Sequence, residues 1–308
     1  MAINYATEYK QALAQPFKEG IKSYRLFTEG EQYQFLNAKT IQIPKLSMTG
    51  FRNHGRGTAL QVADEYSNDW EPKTLSHDRS KYILADVKDI DETNLARSIA
   101  NLTYVFNTEH KIPEFDARVF SKLYTDYVAG GGEVIEEEIT PENFLEYFDE
   151  AMLQLDDAEV PSEGRILYLT PKLAKIAKQA EGLTRTIFVG KGGETSINRS
   201  VYSLDDVELI KVPASRFKTA YDFNLEGGGF APAETAKQIL GLLIHPKCQV
   251  SAHSLEQAML DAPTAATSGK YAWFERTYWD SFLLSNRING AKFFVEPAEE
   301  ENGEEEQT

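Results

Sequence analysis

The feature that most constrains this chain is one long amphipathic stretch, Asp91 to Ala129, interrupted by a proline and stopped by three glycines. Asp91, Glu92, Thr93 and Asn94 supply capping side chains and first-turn negative charge, and Leu95, Ile99, Leu102 and Phe106 recur at helical spacing. Beyond Pro113 the stripe resumes with Phe115, Val119, Phe120, Leu123 and Tyr127, then ends at Gly130-Gly131-Gly132. Pro113 removes the hydrogen bond to Glu109 and biases Ile112 away from helix, so a kink or short break is expected there. Together the halves make a spine of about 50 Å at 1.5 Å per residue.

On the N-terminal side, residues 1–40 mix charge with Tyr5, Tyr9, Phe17, Tyr24, Phe27, Tyr33 and Phe35 and carry no long helical period. So aromatic a segment needs an apolar surface to lie on, and a neighbouring chain is one candidate. Between Lys39 and Lys88, Thr40-Ile41-Gln42-Ile43 opens an alternating run, Gly50 to Gly57 interrupts it, and Lys81 to Val87 returns to strand character. This predicts a long hairpin with an elaborated tip. It has too few strands to bury a face alone and should rest on the body or on another subunit.

Residues 141–235 read as a separate α/β unit. Thr140 and Pro141 open a helix whose buried face is Phe144, Leu145, Phe148, Met152 and Leu155; Arg165 to Leu169 is a buried strand. Thr170 and Pro171 start a helix through Gln179, and Val207 to Val212 is a further strand. In residues 236–296, Ile239 to Ile244, Phe274 to Ser285 and Ala291 to Val295 read as strands, with a turn at Asn289-Gly290 and a helix or loop over Ser254 to Leu260. A mobile acidic tail follows.

Charge is localised. Glu133 to Glu159 holds eleven acidic residues and Glu296 to Thr308 holds seven, neither with Lys or Arg, so the net −16 of the 308 residues resides in these two segments. The first sixty residues carry eight Lys or Arg against four Glu. Copies of such a chain attract one another by charge complementarity, although solvated surface is an equally good account. No basic stripe suits nucleic acid. The apolar runs are too short for a membrane helix or signal peptide, and one cysteine, Cys248, fits a reducing cytoplasm.

No catalytic constellation emerges. His54, His77, His110, His245 and His253 lack an HExxH spacing, and Cys248 has no marked partner. Gly190 to Ser196 departs from phosphate-loop spacing, and Glu136-Glu137-Glu138 points its carboxylates apart. The aromatic group Tyr271, Trp273, Phe274, Tyr278, Trp279 and Phe282 suits core or interface anchors better than a ligand platform. Neither enzymatic activity, a metal nor a cofactor is expected.

Six short blocks, in order, resemble the major capsid proteins of tailed bacteriophages, the Hong Kong 97 fold family. They are Thr74 to Arg79 leading to Asp86 and Asp89 to Thr93; Ile112 to Arg118 with Phe120 to Leu123; Val160 to Pro171; Val212 to Phe217; Ile244-His245-Pro246; and Tyr278 to Phe282 with Asn286 to Gly290. The resemblance implies an α+β fold: an N-terminal arm (1–40), an extended β-hairpin loop (41–88), a peripheral domain with a long spine helix (89–140), an α/β axial domain (141–235), returning peripheral strands (236–296) and an acidic tail (297–308). The last strand is alternatively expected to rejoin the axial domain.

It further implies self-assembly, through hexamers and pentamers, into an icosahedral shell enclosing double-stranded DNA without specific binding. The virion is the location, after assembly in the host cytoplasm. Interface residues are expected on the hairpin (Phe51, Arg52, His54, Arg56, Trp70, Arg79) and arm (Tyr5, Tyr9, Phe17, Tyr24, Phe27), with Leu95, Leu102, Pro113, Glu114, Arg118 and Leu123 on the spine. Portal, separate scaffolding and decoration proteins are the implied partners, with no membrane. Some relatives crosslink Lys to Asn, and Lys45, Lys73, Lys81, Asn286 and Asn289 are the available pairs. The rival readings are a cellular nanocompartment shell of the same fold and a monomeric α/β enzyme.

Overall fold

The computed structural model describes residues 20–27, 33–48, 67–85, 103–180 and 203–297. In chain order these form β1 (Gln34–Asn37), β2 (Thr40–Ser47), β3 (Ser67–Thr74), β4 (His77–Ala85), α1 (Ile112–Ala129), α2 (Phe144–Asp157), β5 (Ile166–Leu169) and α3 (Pro171–Gln179). They continue with β6 (Ser203–Leu204), β7 (Val207–Lys211), β8 (Tyr221–Asp222), β9 (Ala231–Pro232), β10 (Ile239–Ile244), β11 (Gln249–Asp261), β12 (Tyr271–Leu283) and β13 (Ala291–Val295). Two compact units result. One takes its described residues from Met1–Glu29, Ile90–Val250 and Ser281–Thr308, the other from Gly30–Asp89 and Ser251–Asp280.

The first unit is built on a five-stranded sheet in the order β13-β10-β5-β7-β6. β5 and β7 run parallel, joined through α3, while β10 is antiparallel to both β5 and β13. The period-2 alternation of β5 explains its layering. Leu167 and Leu169 face Phe148, Leu155 and Leu173 of α2 and α3 in one core cluster. On the other side Tyr168 stacks edge-on against Phe120 of α1 at 5.2 Å, and Phe293 of β13 meets Tyr127 at 5.1 Å. A sheet covered on both faces needs continuous apolar strands, and all six residues of β10 are buried.

Several expectations are corrected here. The spine is not broken at Pro113. Residues 103–106 are helical, Asn107–Lys111 is a π turn and α1 follows directly, with Ile112 itself helical at φ −63, ψ −48. The Ile112 N–H donates five residues back, to the Asn107 carbonyl. A wide turn immediately before proline relieves the pyrrolidine clash without ending the helix. The helix expected from Thr140 begins at Phe144, because the Asn143 side chain accepts from the Thr140 N–H (2.7 Å) and ties the intervening residues into turns. Residues 254–260 belong to a strand, β11, and are neither helix nor loop. β10 and β13 pair with β5 in one sheet across residue 235, in line with the alternative expectation for the last strand.

In the second unit β2 and β3 form the hairpin, pairing from Thr40↔Thr74 to Ser47↔Ser67. The returning strand is therefore β3 and not Lys81–Val87. After Leu75-Ser76 the chain enters β4, which pairs with β12 from Trp279↔His77 to Tyr271↔Ala85. β1, inside the segment expected as arm, adds a third strand to the hairpin as far as Gln42. Pro44 follows, and beyond it the hairpin continues as a two-stranded ribbon. Thr170 caps α3 as expected, its hydroxyl accepting the Leu173 N–H at 3.2 Å.

Candidate assembly surface

The short blocks singled out in the sequence meet one another. In the second unit the Ser76 N–H and hydroxyl both donate to Asp280 Oδ2, at 3.0 and 2.9 Å, and the Tyr278 hydroxyl donates to the Leu75 carbonyl at 2.8 Å. His77 lies edge-on to Trp279 at 5.3 Å, and His253 stacks on that indole at 5.7 Å. Asp78 is gripped bidentately by Arg276 at 2.9 and 2.5 Å, which holds its carboxyl below the usual range. These bonds fix the register of β4 on β12.

In the first unit Asp116 of α1, fully buried, accepts from the N–H groups of Lys22 (3.0 Å) and Ser23 (3.1 Å), the Ser23 hydroxyl (2.9 Å) and Arg216 (3.2 Å). Burial pushes its carboxyl up, against the pull of these donors. Beside it Phe217 packs on Phe120 at 4.7 Å and Phe27 on Phe115 at 5.3 Å. Buried Arg165 donates to the Asp156 carboxylate (2.6 Å) and to the carbonyls of Val160 (2.5 Å) and Pro161 (3.0 Å), closing the turn from α2 into β5. The His245 N–H donates to the Gly290 carbonyl, and its Nε2 meets the Glu163 carbonyl at 3.1 Å.

The expected interface residues divide into several groups. Tyr5, Tyr9, Phe17, Phe51, Arg52, His54, Arg56, Leu95 and Leu102 lie outside the described residues, as do Gly190 to Ser196 and the tail from residue 298. Trp70, on the hairpin opposite Pro44, is 40% exposed, and Tyr24 is exposed. Arg79, Pro113, Glu114 and Arg118 are half-buried. Phe27 turns inward onto α1, and Leu123 is a core residue. Among its described residues the second unit exposes Phe35, Leu36, Met48, Trp70, Tyr82, Leu84 and Met259, more large apolar side chains than are buried there. Such a surface is suited to association.

Sequence reasoning missed the anchoring roles of Asp116 and Asp280 and the exposure of Tyr82 and Leu84. Asp116 did carry a signal: it is a carboxylate four residues from Ile112 and three from Val119, within the apolar stripe. Cys248 is buried, and among the described residues no three His, Cys, Asp or Glu side chains are grouped to hold a metal ion.

No protein-family model matches the chain, and no curated protein sequence matches it. Solved structures do. The mature capsid of bacteriophage PhiM1 is 12% identical with a TM-score of 0.61, covering 83% of this chain and 82% of that one. The capsid of cyanophage P-SCSP1u is 14% identical, TM-score 0.53, over 87% and 89%. The head of Helicobacter pylori bacteriophage KHP40 is 12% identical, TM-score 0.53, over 86% and 85%. With the layered sheet, the spine helix and the hairpin in place, the chain has the fold of phage capsid proteins.

Proposed function

We propose that this chain is the major capsid protein of a tailed phage, assembling through hexamers and pentamers into an icosahedral shell around double-stranded DNA. The observation that carries the reading is the likeness to phage capsids over more than four-fifths of both chains. The apolar side chains exposed on the hairpin unit support it, since a shell subunit completes its core against its neighbours. On this reading residues 41–88 are the extended loop, 89–140 the peripheral domain with its spine, 141–235 with β10 and β13 the axial body, and residues 1–40 the arm.

The protein acts as a structural element and not as an enzyme. Scaffolding, portal and decoration proteins are its partners during assembly in the host cytoplasm, and the virion is its destination. The net charge of −16 keeps the wall from gripping DNA phosphates, which would slow packaging and ejection.

Size-exclusion chromatography and electron microscopy of the purified chain test this. Closed, megadalton shells are expected. A single-copy species with a radius of gyration near the ~19 Å of a compact chain this long would overturn it. Shells loaded with a protein cargo in place of DNA would turn the reading to a nanocompartment.

A further inference from the structure

We propose that His245 is an acid-opened latch: its neutral ring ties three connections of the first unit together, and a second proton on that ring releases them. The latch belongs to the folded subunit, beyond the container reading and independent of it.

The ring is buried just after β10, and both its nitrogens are engaged. Nδ1 accepts the Lys247 N–H at 3.2 Å, capping the single turn of 3-10 helix Pro246–Cys248. Nε2 lies 3.1 Å from the Glu163 carbonyl. A backbone N–H only donates and a carbonyl only accepts. The proton of the neutral ring is therefore on Nε2, and Nδ1 is bare. That tautomer satisfies both contacts. The doubly protonated ring satisfies only one, because its Nδ1–H would confront the Lys247 N–H.

These contacts sit where three connections meet. Glu163 belongs to the turn between α2 and β5. Residues 245–248 lead from β10 into β11, and the Cys248 N–H donates to the His245 carbonyl at 3.0 Å. Gly290, in the connection from β12 to β13, accepts the His245 N–H at 3.0 Å, and the Leu284 N–H donates to the Cys248 carbonyl at 2.9 Å. The charged side chains on the three connections are Glu159, Glu163 and Arg165 before β5, Lys247 beside the ring, and Arg287 before β13. Arg165 is held by Asp156, and Arg287 by the Lys247 carbonyl at 2.7 Å. Glu159 and Glu163 are exposed, so the acids of this cluster stand in solvent.

A histidine side chain in water takes up its second proton at about pH 6.5. The closed turn excludes that proton and the open turn admits it. The open population is therefore lowest above this pH and grows as pH falls below it.

Cys248, the one cysteine of the chain, is buried in the same turn and reports its opening. The full chain, as dissociated subunits, is labelled with a methanethiosulfonate reagent, and each rate is divided by that of an unstructured peptide thiol to cancel thiolate ionisation. Between about pH 7.5 and about pH 5.5 the normalised wild-type rate should rise about tenfold. His245→Asn keeps an acceptor near the place of Nδ1 and takes up no proton, so its normalised rate should stay level over the same range. Heteronuclear NMR of the wild-type imidazole, which needs no substitution, should show a protonated Nε2 and a bare Nδ1 at neutral pH. A level wild-type rate, an equal rise in His245→Asn, or a neutral ring protonated on Nδ1 overturns the proposal, whatever assembly the chain adopts.

Discussion

Asp116 and Ser23 are joined twice: the Ser23 N–H and hydroxyl donate to the same carboxylate oxygen, Oδ1, at 3.1 and 2.9 Å. This pair pins the segment before β1 to the middle of the spine helix, and Arg216 arrives from the opposite side of the sequence to share the carboxylate.

Replacing Asp116 by Ala strands three neutral donors and a cation, and should cost ~3–5 kcal/mol in urea unfolding. The pH dependence is the sharper test. Burial raises this carboxyl above its ordinary 3.8, so the native state holds the proton more tightly than the unfolded chain. Its contribution is complete below that value and is lost as pH rises through the raised native one. Wild-type stability relative to Asp116→Asn should therefore decline as pH rises above about 4. The opposite slope in paired titrations would mean that the donors outweigh burial.

Gly290 lies against Cys248: an added Cβ would collide with the Cys248 Sγ. Gly290→Ala should destabilise by ~1–3 kcal/mol through overpacking. Cys248→Ala makes room, so the double variant should melt higher than Gly290→Ala alone. Simple additivity of the two losses would show that the strain is elsewhere.

Leu123 is wholly buried on α1, and its truncation to Ala should lower stability by ~2–5 kcal/mol. Thr170→Ala removes only the α3 cap and should cost ~1 kcal/mol. Equal chemical-denaturation midpoints for the two variants would contradict this ranking.

Trp70, exposed on the hairpin, separates folding from assembly. Trp70→Ala should leave the unfolding midpoint within ~0.5 kcal/mol and reduce the yield of particles seen by sedimentation. A large loss of stability with normal particles would place this indole in the fold and not at a contact.

Much of the first unit was legible locally. β5, β10, β13 and α3 are marked by contiguous apolar runs and a Thr-Pro cap, signals that act within a few residues. The π turn was half-legible: Pro113 announces a disturbance, and only the surrounding packing decides that the helix widens instead of breaking. Among the residues expected at an interface, Trp70 is exposed. The exposure of Tyr82 and Leu84 was not legible, because it depends on which edge of which sheet a strand occupies.

The sequence by itself determined the cap of α3, the contiguous apolar strands β5, β10 and β13, and where charge accumulates. Only the tertiary structure decided that β4 leaves the hairpin for β12, nearly two hundred residues away in the chain, and that residues 254–260 are strand. A strand's ladder partners carry no local signature, because the same backbone donors and acceptors pair with whichever edge the packing delivers. For the same reason Asp116, polar in a helical stripe, became an anchor only when Ser23 and Arg216 were brought to it.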